Sequence, residues 1–317
     1  MKANTIYFFD GGNIIEAENT RLLPGPVEKK GIALEPSTPW EVSLNGFGSL
    51  LYDKHAQEYL YYYNQQDPRR EGIFSQCIMM ARSRDCVNWE KPEFDHIRYK
   101  GLKTNLIDID IYRRGFGAVI PSVIQRGKNE WEMFYWAYSD KKLSGKKIYC
   151  LRAVSKDGIR WRTPNPGKPV AIHSHPVLQG READPFDGDK SDCPDEKFRI
   201  PMRLAGLRSN DASFVYPTPG GGYDFYGVWL GRNYSPLRKK CGALNRCIQK
   251  RVSGDGTNWS NPVMLFSQSK YERETNQFYY FSVTRFESYH IGLLGIYHMD
   301  MEKNIRTIEP QLAVSQD

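Results

Sequence analysis

The chain has 317 residues, a net charge of +7 and 26% charged residues. That is length enough for one large core and too little charge density for a nucleic-acid-binding surface. The densest basic run, Arg238-Lys239-Lys240, reads as a solvated loop, and no apolar run approaches membrane-spanning length. Twenty tyrosines, 15 phenylalanines and 7 tryptophans, with 27 glycines and 19 prolines, favour an all-β chain with many turns over one with long helices. The opening "MKANTIYFFDGGN" carries one basic residue and a short apolar stretch, so no signal peptide is visible. The six cysteines form no CxxC pair and no zinc spacing with histidine. Free buried thiols are expected, with Cys241 and Cys247 placed to bridge a loop in an oxidising compartment.

In chain order, residues 1–39 form an N-terminal extension, and a first unit spans 40–100. It holds the strand-like runs "GFGSLLYD" (46–53), "EYLYYYNQQ" (58–66) and "CIMMAR", then the turn Ser83-Arg84-Asp85-Cys86-Val87-Asn88-Trp89. A second unit, 101–168, repeats the order with "AVIPSVIQ" (118–125), "EWEMFYWAYS" (130–139), "IYCLRAV" and Ser155-Lys156-Asp157-Gly158-Ile159-Arg160-Trp161. A third, 169–265, carries an insertion before "ASFVYPTP" (212–219), "YDFYGVWLG" (223–231), "CIQKRV" and Ser253-Gly254-Asp255-Gly256-Thr257-Asn258-Trp259. The fourth, 266–317, has "QFYYFSVTRF" (277–286) and "HIGLLGIYHM" (290–299), and its third strand runs into "LAVSQD".

Three Ser-x-Asp-x-x-x-Trp turns in register, each after a strand and shortly before a proline, define a repeat. Ser and Asp side chains bond the turn amides, Gly supplies the left-handed residue, and Trp anchors the next strand. Cys86 stands where the other two turns have glycine, so its turn must avoid the left-handed region or carry strain. Units of strand, turn, strand, loop, strand, turn and outer strand are four-stranded antiparallel blades of a β-propeller.

These turns resemble those of the five-bladed propeller glycoside hydrolases: arabinanases, β-xylosidases, invertases and levanases. The opening "IYFFDGGNIIEAENTRLLPGP", with "PSTPWE" (36–41), "GFGSLLYD" and "WEKPEF", is similar to a bacterial glycosidase-like branch. The resemblance implies an all-β, five-bladed propeller with a carbohydrate site in a central funnel. The invertase-type "WMNDPNG" and the arabinanase-type Asp-Pro are absent; Pro39-Trp40-Glu41 occupies that neighbourhood. "AVSQD" matches the start of a fourth turn without its Trp, so the last part of the ring is expected from a missing segment or another chain.

In a propeller the inner strands begin near the funnel, so chemistry is sought there. Those starts supply Trp40 and Glu41, then Asp108, Asp110, Arg113 and Arg114, then Arg208, Asn210 and Asp211, then Glu274 with Arg285 and Glu287 farther on. Glycosidic hydrolysis commonly uses two carboxyl groups, and the resemblance implies a third that orients the acid. The expected roles are Asp211 as base or nucleophile, Glu274 as general acid and Glu41 as orienting group. Trp40, Arg113, Arg208, Asn210, Tyr216 and Arg285 are the expected substrate-binding residues, and arginines 113, 114, 208 and 285 suit an anionic sugar such as a uronate or a sulfated residue, with surface salt bridges as the alternative. Trp136 and Trp229 fit the blade core better than a sugar platform. His173 and His175 lack a clear third ligand, so no metal site is assigned. The acidic run "DPFDGDKSDCPDE" (184–196) could hold Ca²⁺ but reads first as a solvated insertion, and no other cofactor is implied. The expected activity is glycoside hydrolysis of a plant or algal poly- or oligosaccharide; the alternative is a carbohydrate-binding propeller without catalysis.

Overall fold

The computed structural model describes residues 18, 28, 30–67, 69, 72–139, 148–173, 212–232, 244–266, 273, 276–286, 288–300, 303 and 305–316. Within them lie the strands β1 (Asn45–Asp53), β2 (Glu58–Gln66), β3 (Gln76–Ser83), β4 (Phe94–Tyr99), β5 (Leu102–Thr104), β6 (Asp108–Ile109), β7 (Phe116–Gly127), β8 (Glu130–Ser139) and β9 (Ile148–Ser155). They continue with β10 (Arg160–Arg162), β11 (Ala171–His173), β12 (Phe214–Pro217), β13 (Tyr223–Arg232), β14 (Leu244–Ser253), β15 (Val263–Phe266), β16 (Gln277–Phe286), β17 (Tyr289–Asp300) and β18 (Ile305–Ser315). Two 3₁₀ turns, Gly72–Ser75 and Asp110–Arg114, are the only helical elements among the described residues, and no helix there is long and apolar enough to cross a membrane.

Among the described residues four sheets, antiparallel but for one pair, follow one another along the sequence: β1-β2-β3, then β7-β8-β9 extended by β10, β6 and β11, then β12-β13-β14-β15, then β16-β17-β18. The chain is all-β, as expected, but the sheets are not uniformly four-stranded. In the first, the outer position is filled by isolated bridges, Met79↔Leu106 and Arg82↔Glu90, and Phe94–Tyr99 pairs with Leu102–Thr104 in a separate two-stranded ribbon. The second gains β6, which pairs in parallel with β10 beyond the turn.

Each sheet packs face to face on the next, and three apolar layers fill the gaps. Tyr62, Ile78, Met133 and Tyr135 lie between the first and second sheets, and Val119, Phe134, Trp136 and Phe225 between the second and third. Val228, Ile248, Phe281 and Leu294 lie between the third and fourth. Alternation along each strand is what makes both faces available, one to each neighbour.

The repeated turns have one hydrogen-bond pattern. In each, the serine hydroxyl donates to the aspartate carboxylate at 3.0–3.1 Å and accepts two backbone N–H groups. The same carboxylate oxygen accepts the next two amides at 2.7–2.9 Å. Cys86 does adopt the left-handed conformation, at φ 60°, beside φ 72° and 71° for Gly158 and Gly256. The turns also lock sheet to sheet: Tyr62 of the first sheet donates its hydroxyl to the Gly158 carbonyl at 3.0 Å.

Hydroxyl groups tie the inner strands together as well. Ser49 Oγ accepts the Val123 amide at 2.9 Å, Ser122 Oγ accepts the Val215 amide at 3.0 Å, and Tyr216 Oη accepts the Val283 amide at 3.1 Å. An inner strand is an edge strand whose outward amides need partners, and each preceding sheet supplies one.

Candidate active site

The register places the Ser-x-Asp turns and the inner-strand starts at opposite ends of the sheets. Ser83 is paired with Tyr59 at the beginning of β2, whereas Asn45 at the beginning of β1 is paired with Asn64 near the end of β2. Asp85, Asp157 and Asp255 therefore stay out of any site built from the inner-strand starts. Turn amides, and for Asp157 also its burial, set the charge state of these carboxylates, and all three titrate below the usual carboxylate range. For Asp157 burial acts upward and the hydrogen bonds outweigh it.

At the other end, inner strands from different sheets approach one another. The Phe47 ring in β1 lies 6.0 Å from Tyr279 and 6.2 Å from Tyr280 in β16. Arg246, at the beginning of β14, donates to Gln277 Oε1 at 2.8 Å and stands 5.2 Å over the Tyr279 ring. Phe47, Tyr279 and Arg246 were not singled out by sequence. Arg246 lies in a third strand, and only strand pairing brings it beside the start of β16. In β7 a bulge falls between Val119 and Ser122, where Ile120 has φ 55° and donates its amide to Asn64 Oδ1 at 3.0 Å. A β-branched residue in the left-handed region is strained, and it is held by the preceding sheet.

Glu41 is the one expected catalytic residue among the described positions. Its side chain is fully buried. Tyr63 donates to Oε1 at 2.6 Å, Lys91 Nζ to Oε2 at 2.6 Å, and the Ser37 and Thr38 amides also reach Oε2. Burial alone would raise its pKa; the hydrogen bonds from Lys91 and Tyr63, the Ser37 amide and the lysine charge outweigh it, so the carboxyl titrates below the usual range. The series of bonds continues from Asn105 Nδ2 to Tyr63 Oη (2.7 Å) and from Trp40 Nε1 to Asn105 Oδ1 (2.9 Å). Trp40 is 7% exposed. As placed, neither Glu41 nor Trp40 is open to a ligand; together they clamp the segment before β1 against the first sheet.

The other expected residues are scattered. Arg113 is exposed and its guanidinium donates to Asp108 at 2.7 Å. Asp110 accepts the Thr163 amide at 3.0 Å. Tyr216 packs among Phe214 and Tyr226 between the third and fourth sheets, and burial pushes its hydroxyl up to about 12. Arg285 lies exposed at the far end of β16, opposite His290, away from the strand start. Trp136 is fully enclosed in the core, as expected. Asp211, Glu274, Arg208, Asn210, Glu287, His175, Cys241 and the run 184–196 lie outside the described residues, as do the side chains of His173 and Trp229. Among the described residues no three His, Cys, Asp or Glu side chains gather as metal ligands.

No protein-family model matches the sequence, and no curated protein matches it. Solved structures do. The complex of BT0996 with RGII aligns over 90% of this protein and 74% of its own length, at 13% identity and a TM-score of 0.51. The endo-arabinase from Bacteroides thetaiotaomicron VPI-5482 aligns over 85% and 75%, at 11% identity and a TM-score of 0.43. An alpha-L-arabinanase variant from Cellvibrio cellulosa aligns over 87% and 83%, at 13% identity and 0.42. At such identities the likeness is one of fold: the protein has the β-propeller architecture found among glycoside hydrolases.

Proposed function

We propose that the protein is a glycoside hydrolase that cleaves a plant or algal poly- or oligosaccharide with carboxyl groups at the inner-strand starts. The observation that carries the reading is the approach of β1 to β16 through Phe47, Tyr279 and Tyr280. In sequence, Asp211 and Glu274 stand three residues before β12 and β16. Asp211 acts as base or nucleophile and Glu274 as general acid, with a pKa raised by burial or by its neighbour. Glu41 stays ionised and anchors the segment before β1, which leaves proton transfer to the other two. The fold shared with a protein solved in complex with RGII supports a carbohydrate ligand.

A carbohydrate-binding propeller without catalysis is the second reading, favoured by the burial of Glu41 beneath Lys91. Turnover separates the two. With aryl-glycosides and plant oligosaccharides as substrates, Asp211→Ala or Glu274→Ala lowers turnover by roughly 10²–10⁴-fold while glycan binding persists. Glycan binding by the intact protein with no bond cleaved would leave the binding reading in its place.

A further inference from the structure

We propose that a cleft at the beginning of β7 binds the carboxylate of an acidic sugar, with Arg114 as the anion-binding residue. The cavity holds about 230 Å³ and is lined by Ile111, Arg114, Phe116, Tyr149, Leu151 and the Pro166-Gly167 segment. That is below the roughly 300–1,000 Å³ of pockets for drug-sized ligands, a size for one sugar ring and its substituent. It opens at the end of the second sheet where the inner strand starts, the end at which the candidate carboxyl groups are sought.

The local backbone explains how a cation and an aromatic ring come to flank one cleft. The 3₁₀ turn Asp110–Arg114 ends at Gly115, whose φ of 76° turns the chain into β7 and whose amide returns to the Tyr112 carbonyl at 3.0 Å. Arg114 and Phe116 are left on either side of that reversal. Ile111 and Leu151, each 2% exposed, and the half-buried Phe116 and Tyr149 make the lining largely apolar and aromatic, which suits the C–H face of a pyranose.

The charge balance singles out Arg114. Its neighbour Arg113 is paired with Asp108, and Asp110 turns one carboxylate oxygen to the Thr163 amide. No carboxylate among the described residues pairs with Arg114, an exposed guanidinium beside an apolar cavity. A planar guanidinium matches a carboxylate through two parallel hydrogen bonds, and one next to apolar walls is screened less than one in open water. An acidic pyranose supplies both halves of the match: an apolar ring face and one carboxylate.

The proposal rests on the carbohydrate reading above for its class of ligand, but it concerns binding and is tested without turnover. D-galacturonate, its neutral methyl ester and galactose 6-sulfate are titrated into the full chain carrying Asp211→Ala, followed by calorimetry and amide shifts. Galacturonate is expected to bind roughly tenfold or more tightly than the ester. Arg114→Gln is expected to erase that preference, whereas Arg98→Gln, the same charge change elsewhere, keeps it. Replacing Tyr149 by Ala is expected to weaken acid and ester alike. Equal binding of acid and ester, no saturable binding of galacturonate, or a preference that survives Arg114→Gln overturns the proposal. Tighter binding of the sulfate than of the carboxylate overturns the carboxylate assignment. Turnover that survives Asp211→Ala counts against the hydrolase reading alone.

Discussion

Glu41 shows how one residue can be prominent in sequence and yet do something else in the fold. A carboxylate before an inner strand reads as chemistry, but its side-chain partners Tyr63 and Lys91 are 22 and 50 positions away, and no local pattern announces them. Its folded pKa is depressed, so its contribution to stability is present above the unfolded value of roughly 4.3 and is lost as pH falls through the lower folded value. Lys91→Met leaves the buried carboxylate without its cation and is expected to destabilise the fold by about 3–5 kcal/mol. It also adds a slope above pH 5, where the wild-type Glu41 contributes none: burial then outweighs the remaining hydrogen bonds, and acidification from pH 7 to pH 5 stabilises the variant. Urea unfolding across that range reads both effects. A loss below about 1 kcal/mol, or an unchanged pH slope, removes the anchoring role.

At the scale of the element, the Ser-x-Asp turns were legible because everything they need lies within seven residues. Serine, aspartate and the left-handed residue satisfy one another locally, and the same bonds recur in all three copies. Strands with alternating aromatics were legible for the same reason: β2, β8 and β16 have the bounds read from sequence, at 58–66, 130–139 and 277–286. What sequence did not show is the second duty of the turns. Gly158 is needed for its φ of 72° and also because a Cβ there would stand 2.7 Å from the Tyr62 hydroxyl of the preceding sheet. Gly158→Ala is therefore expected to destabilise by about 2 kcal/mol or more, from backbone strain and the displaced tyrosine together. Cys86→Gly acts in the opposite sense, relieving a strained φ of 60° and stabilising by up to about 1 kcal/mol. Thermal unfolding of the two variants should move in opposite directions; shifts of the same sign contradict this account of the turn.

Across the whole molecule, one position of the repeat records how sheets cover one another. Tyr62, Phe134 and Tyr226 occupy equivalent places in second strands, three residues beyond the partner of each turn serine, and are 0%, 1% and 6% exposed. Leu293 holds the same place in the fourth sheet and is 48% exposed, with Leu312 opposite it at 61%. The stacking order was readable from the repeat, because each unit is a sheet with two apolar faces. The site was less readable, since it depends on which inner-strand starts meet across the axis, and that is a property of the ring and not of any segment. In the proposed hydrolase, Asp211 and Glu274, from successive repeats, share one cavity. A crystal structure with a bound oligosaccharide measures it directly. Carboxyl groups roughly 5–9.5 Å apart on either side of a glycosidic bond are expected; carboxyl groups facing separate environments, with no sugar between them, rule the shared site out.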